Sequence, residues 1–173
     1  MSVFFIADTH FGDGNILRYE SRPFATVEEM DQELVRRWNQ KVGEEDTVFH
    51  LGDVSAHSAE EDRQLLGQLH GKKVLVLGNH DLHRSPQQWR DLGFEEAVPW
   101  PILWEGFFLL SHQPLYVNVN MPYANVYGHV HGSPTYRDAS SHSVCVSAER
   151  TGFAPLSQEE LRARIQESQQ GTC

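Results

Sequence analysis

The sequence predicts an α/β fold, and three observations lead there. In the first half, short apolar runs alternate with segments whose apolar residues recur at helical spacing. In the second half the spacing turns mostly to that of strands, with Gly-containing turns between them. The apolar runs read as strands built for the inside of a protein.

Taken in order, residues 3–7 read as a first strand, followed by a polar loop. Thr26 and Glu29 form a capping box that opens a helix with Val27, Met30, Leu34 and Trp38 on one face and Gly43 near its end. A strand over 47–51 leads to a second helix from Ser58, with Glu61 closing the same kind of box and Leu65, Leu66 and Leu69 facing inward. A strand over 73–77 follows. Two successive βαβ units imply neighbouring parallel strands whose carboxyl ends share one sheet edge. Ser85 and Pro86 start a short helix that Gly93 ends. Strands are then expected over 94–98, 102–104, 107–110, 125–127 and 144–147, with Glu105-Gly106 as a hairpin turn. A last helix runs from Ser157, capped with Glu160, to about residue 169, before a frayed tail.

A length of 173 residues with 39% hydrophobic content suits one globular domain over 1–173. No apolar stretch reaches membrane-spanning length, and the opening MSVFFIADTH has no basic segment of the kind a signal peptide carries, so the expected location is the cytoplasm and no membrane partner is expected. Cys145 and Cys173 are too few and too unevenly placed for a disulfide framework, which fits a reducing compartment. The formal charge of −10 argues against a general grip on nucleic acid.

The chemistry is written at the strand ends. VFFIADTH (3–10), TVFHLGDV (47–54), VLVLGNHD (74–81), FFLLSHQP (107–114) and NVYGHVH (125–131) each run from apolar residues into Asp, His or Asn. Polar groups at the mouth of a core strand need hydrogen-bond partners or a metal. In Asp8-Thr9-His10 and His129-Val130-His131 a two-residue spacing aims both side chains the same way if the chain stays extended. Gly52, Gly78 and Gly128 allow sharp turns before Asp53, Asn79 and His129. The convergent set is Asp8, His10, Asp53, Asn79, His112, His129 and His131, more than a single ion with open positions requires. Two divalent ions bridged by Asp53 are expected, and the imidazole-rich donors favour manganese foremost, with iron, zinc, nickel or cobalt as alternatives.

The order D-x-H, G-D, G-N-H-D, H, G-H-x-H resembles the calcineurin-like metallophosphoesterase superfamily across nearly the whole chain, and RPFATVEEMDQELVRRWNQKV is similar to its small bacterial and phage members. The resemblance implies a four-layer α/β/β/α sandwich with two mixed sheets. It also implies one metal held by Asp8, His10, Asp53 and His131 and a second by Asp53, Asn79, His112 and His129. An Arg near G-D, common in the larger phosphatases, has no counterpart in Val54, Ser55, Ala56 and His57, nor do the motifs carry the Tyr ligand of purple acid phosphatases.

Hydrolysis of phosphodiesters, and of some monoesters, is then expected by attack of a hydroxide bridging the two ions. His80 is the expected general acid, with Asp81 orienting it. So short a chain leaves no room for an inserted cap, so the site should be open. The polar loop over 12–24 offers Asn15, Arg18, Tyr19 and Arg22 as substrate contacts, and the partner is a small phosphoester, nucleotides among the candidates. His57 and His83 are expected as solvated loop histidines. Two other readings compete: a non-catalytic metal-binding scaffold of the same fold, similar to a retromer subunit, and a redox non-haem iron protein.

Overall fold

The computed structural model describes residues 1–118, 120–133 and 142–170; Cys173 and the expected frayed tail lie outside the described residues. The elements are β1 (Val3–Ile6), α1 (Gly14–Tyr19), α2 (Val27–Lys41), β2 (Thr47–His50), α3 (Ala59–Gln68), β3 (Lys72–Val76), α4 (Pro86–Leu92), β4 (Glu96–Val98), β5 (Ile102–Trp104), β6 (Phe108–Leu110), β7 (Ala124–Tyr127), β8 (Val144–Cys145), α5 (Ala148–Thr151), β9 (Leu156–Ser157) and α6 (Gln158–Gln170).

The helices begin where side chains cap them. Thr26 accepts from Glu29 N at the start of α2, while the Glu29 carboxylate reaches one residue further back, to Ala25 N. Ser58 and Ser85 form reciprocal boxes with Glu61 and Gln88 at the starts of α3 and α4. Met30, Leu34 and Trp38 bury one stripe of α2.

One sheet has the order β4-β3-β2-β1-β9, parallel except for β9, and the other β5-β6-β7-β8, with only β5 antiparallel. Alternation along β1 and β2 builds two cores. Phe4, Ile6 and Val48 join Met30, Trp38, Leu66 and Trp89 beneath the helices. Phe5, Phe49 and Val76 meet Phe108, Leu110 and Val126 of the second sheet, and α6 adds Leu161 and Ile165 to that cluster. Two stacked mixed sheets with helices are thus the architecture that the resemblance implies. Ala7 bridges in parallel to Ser147, so the two sheets are joined at the end where β1 and β8 finish.

Three expectations change. Residues 12–24 contain a helix, α1, because Asp13 accepts from Asn15 N and caps it, while Ile16 is buried. The strand expected over 94–98 shortens to β4 and pairs with β3 in the first sheet. The short elements α5 and β9 have no periodicity signal: β9 is held by antiparallel pairing with β1, and α5 starts where Ala148 N donates to Ala7 O.

Candidate metal centre

Each of the five motifs follows the carboxyl end of β1, β2, β3, β6 or β7. Cross-loop bonds lace them together: Asp8 N donates to Gly52 O, His10 N to Asp53 O, and Gly128 N to His112 O. The backbone departs from the expected extended form. Asp8, His10, Asp53, His129 and His131 all have φ between 48° and 71°, in the left-handed region. Their side chains converge because the strand ends curl back, rather than through two-residue alternation. Of the three glycines, Gly52 alone has positive φ, at 92°. Gly78 and Gly128 serve by leaving room, since a Cβ would strike the Asp53 carboxylate at Gly78, and Ala7 and the Asp8 carboxylate at Gly128.

Ligand-type atoms of Asp8, His10, Asp53 and His131 all lie within 4.8 Å of one another, and so do those of Asp53, His112 and His129. Asp53 belongs to both groups. His80 N fixes its Oδ1 at 2.9 Å, while Oδ2 stands 3.6 Å from His10 Nε2 and 3.4 Å from His112 Nε2. Asp8 is held by Ser147 Oγ, which donates at 2.6 Å, and by His129 N.

Two features of the donor set fit divalent cations. His10 Nε2 is buried without a hydrogen-bond partner, an orphan beside a carboxylate. His112 Nδ1 donates to Leu51 O at 2.8 Å, which turns the Nε2 lone pair inward, 2.9 Å from Asn79 Oδ1 and 3.1 Å from His129 Nδ1. His129 can donate only one proton into this triangle of acceptors, so a shared cation suits it better than hydrogen bonding alone.

Burial and neighbours set the charges of these side chains. Burial raises the Asp8 carboxyl to about 7 despite the opposing influence of His131. Burial lowers His10 to about 2, assisted by His131 and Arg22, so its ring stays neutral. Burial lowers His112 too, against the pull of Asp53. His131 goes the other way: burial disfavours its charge, but Glu149 and Asp8 outweigh it and raise it.

Two expected roles are corrected by the structure. Asp81 is fully buried and gives its carboxylate to the backbone: Oδ2 accepts from Asp53 N and Gly78 N, both at 2.7 Å, and Oδ1 from Val54 N at 2.9 Å. It clamps two ligand loops rather than orienting His80, whose ring is exposed at 5.2 Å from that of His10. Arg22 is buried and donates to Asp8 O, Thr9 O and Glu149, so it faces the interior rather than a substrate. Asn15, Arg18 and Tyr19 are exposed on α1. His57 is held by Asp31 at 2.8 Å rather than solvated, and His83 is exposed with Nδ1 bonded to His80 O. Sequence reasoning missed Ser147 and Glu149, although 144–147 is another apolar run ending in polar residues, the signal used at the other five.

The model of the family described as calcineurin-like phosphoesterase matches residues 1–150. This chain belongs to the calcineurin-like phosphoesterase family. It is 32% identical over 162 residues to an uncharacterised protein of Methanocaldococcus jannaschii, covering 90% of this chain and 86% of that one. A gene 66 protein of Mycobacterium phage D29 is 34% identical over 105 residues, 59% of this chain and 50% of the phage protein. In fold it is similar to a protein of unknown function from Aquifex aeolicus, with a TM-score of 0.72, 23% identity, and coverage of 94% of this chain and 98% of that one. At that identity the likeness speaks to the fold alone.

Proposed function

We propose that this member of the family is a dinuclear, metal-dependent hydrolase of phosphodiesters, with some activity on monoesters. The observation that carries the reading is the pair of ligand groups sharing Asp53, with His80 exposed at their rim. When bound, two divalent ions, manganese foremost, supply a solvent nucleophile at neutral pH and a positive field for the phosphate oxygens. The chain leaves that field largely uncancelled, because Asp8 and Asp53 are the only carboxylates among the seven ligands.

His80 is free to work at the departing oxygen. Its main chain is tied to Asp53 Oδ1, its carbonyl accepts from His83 Nδ1, and its ring borders a hollow lined also by His10, Ser55 and His83. From there it can donate a proton to the leaving alkoxide. On the other side, beside Asn79 and His112, lies a cleft of about 250 Å³ walled by Leu82, Pro99, Pro101 and Leu115. It offers an apolar seat for an organic ester group, which favours diesters and bulky monoesters, nucleotides among them. Arg18 and Tyr19 on α1 stand as outer substrate contacts, and Asn15 with them. The intact ligand set argues against a purely structural scaffold.

No helix among the described residues is long and apolar enough to cross a membrane. A buried free Cys145 accords with a reducing, cytoplasmic setting. The test is to strip the protein with chelator and assay an aryl phosphodiester with manganese, iron, zinc, nickel or cobalt restored in turn. Turnover that tracks two bound ions is expected; no turnover with any of these metals would overturn the reading.

A further inference from the structure

Glu149 lies outside the seven ligands, yet it is built into their support. Its side chain is 10% exposed, and that of Arg22 is fully buried. Glu149 Oε1 accepts from Arg22 Nε at 2.8 Å and pairs with Arg22 Nη2 at 2.6 Å. The same guanidinium donates to Thr9 O at 2.7 Å and Asp8 O at 2.6 Å, so one side chain spans the first ligand loop and the carboxylate.

A buried ion pair by itself is weak ground for a role beyond packing, because desolvating both charges offsets much of their attraction. A third partner decides the matter. His131 Nδ1 stands 3.3 Å from Glu149 Oε1, and its Nε2 stands 4.0 Å from Asp8 Oδ1, on the ligand side. The backbone around His131 is pinned as well: Arg150 Nε donates to His131 O at 2.7 Å, and Gly132 N donates to Glu20 Oε2 at 3.3 Å. A ligating histidine commonly donates its other ring N–H to a carboxylate, which fixes tautomer and ring direction.

We infer that Glu149, gripped by Arg22, is a positioning residue that holds His131 with its proton on Nδ1 and its Nε2 lone pair turned towards Asp8, and thereby sets the affinity of the Asp8–His10–Asp53–His131 group for its ion. This rests on the dinuclear reading above. It also accounts for the buried arginine of the RPF segment, since Arg22 anchors the support of the centre.

The experiment is calorimetric titration of manganese into chelator-stripped protein, together with the histidine ring NMR signals of the zinc-loaded form. Wild type should take two ions. E149D, which keeps the charge but draws the shared oxygen back by one methylene, and E149Q should each weaken one of the two sites by about 10- to 100-fold and move the His131 Nδ1–H signal, leaving the other site within about twofold. An unchanged ring signal with two wild-type affinities in E149D would sink the positioning role while sparing the dinuclear reading. Wild-type protein that takes up fewer than two ions would remove both.

Discussion

Left-handed backbone at Asp8, His10, Asp53, His129 and His131 is the residue-scale signature of this centre. Each such position costs a β-carbon-bearing residue about 1–2 kcal/mol and persists only where surroundings enforce it. Asp81 is one enforcer, with three backbone amides on its carboxylate. Asp81→Ala strands those buried donors, and we expect a loss of about 3 kcal/mol or more in a denaturant titration, along with weaker metal binding. Were Asp81 instead an orienter of His80, stability would hold and only the pH profile of turnover would move. His80→Ala should leave metal content at two ions and lower kcat by about 10²- to 10⁴-fold on alkyl esters, but far less on nitrophenyl esters, whose leaving group needs no proton. Equal losses on both substrates would count against the general-acid role. The residue types of the site were legible in the sequence, whereas the interior direction of Arg22 was not, since an Arg beside Pro in a polar stretch reads equally well as a surface group.

At the scale of elements, the strand ends do the positioning and the glycines between strand and ligand make the approach possible. Gly78→Ala would drive a methyl group into the Asp53 carboxylate, so its expected result is loss of metal uptake, measured by elemental analysis of purified protein. Gly67 offers the contrast. It is exposed within α3 and a Cβ there meets nothing within 4 Å. Gly67→Ala should therefore stabilise by about 0.5–1 kcal/mol in thermal or chemical melts without touching metal binding. Helices with a capping side chain and an apolar stripe, α2 to α4, could be read from the chain because their signals are local. The helix α1, the four-residue α5 and the two-residue β9 could not: α1 was hidden in a polar stretch, and the others exist because neighbours complete their hydrogen bonds.

The whole molecule stores its ionisable groups where folding holds them out of water, and pH should report this. Burial keeps His10 and His50 neutral, at about 2 and about 3, whereas the unfolded chain protonates both below about 6.5. Their folded values are depressed, so stability is present above pH 6.5 and lost as pH falls. Asp8, raised to about 7, acts oppositely and lends stability at low pH that fades as pH rises. These three groups together withdraw about 1.4 kcal/mol per pH unit from the metal-free protein as pH falls from 6.5 to 4.5, so replacing the remote His50 by Gln should flatten the acid fall of Tm. An acid limb of the same slope in H50Q would contradict this assignment. Manganese should raise Tm at pH 7, by about 2.7 kcal/mol of stability at a hundredfold excess over Kd, and lose that effect in acid as protons compete for the ligands. By itself the sequence determined the α/β class, the strand ends that carry the ligands and the chemistry those donors suit, because period, capping and donor type are local properties. Only the tertiary structure decided which groups face the candidate centre and which brace it. Asp81, Arg22, Ser147 and Glu149 acquired their roles from partners as far as 139 residues away, and no local pattern encodes which buried donor a carboxylate will meet.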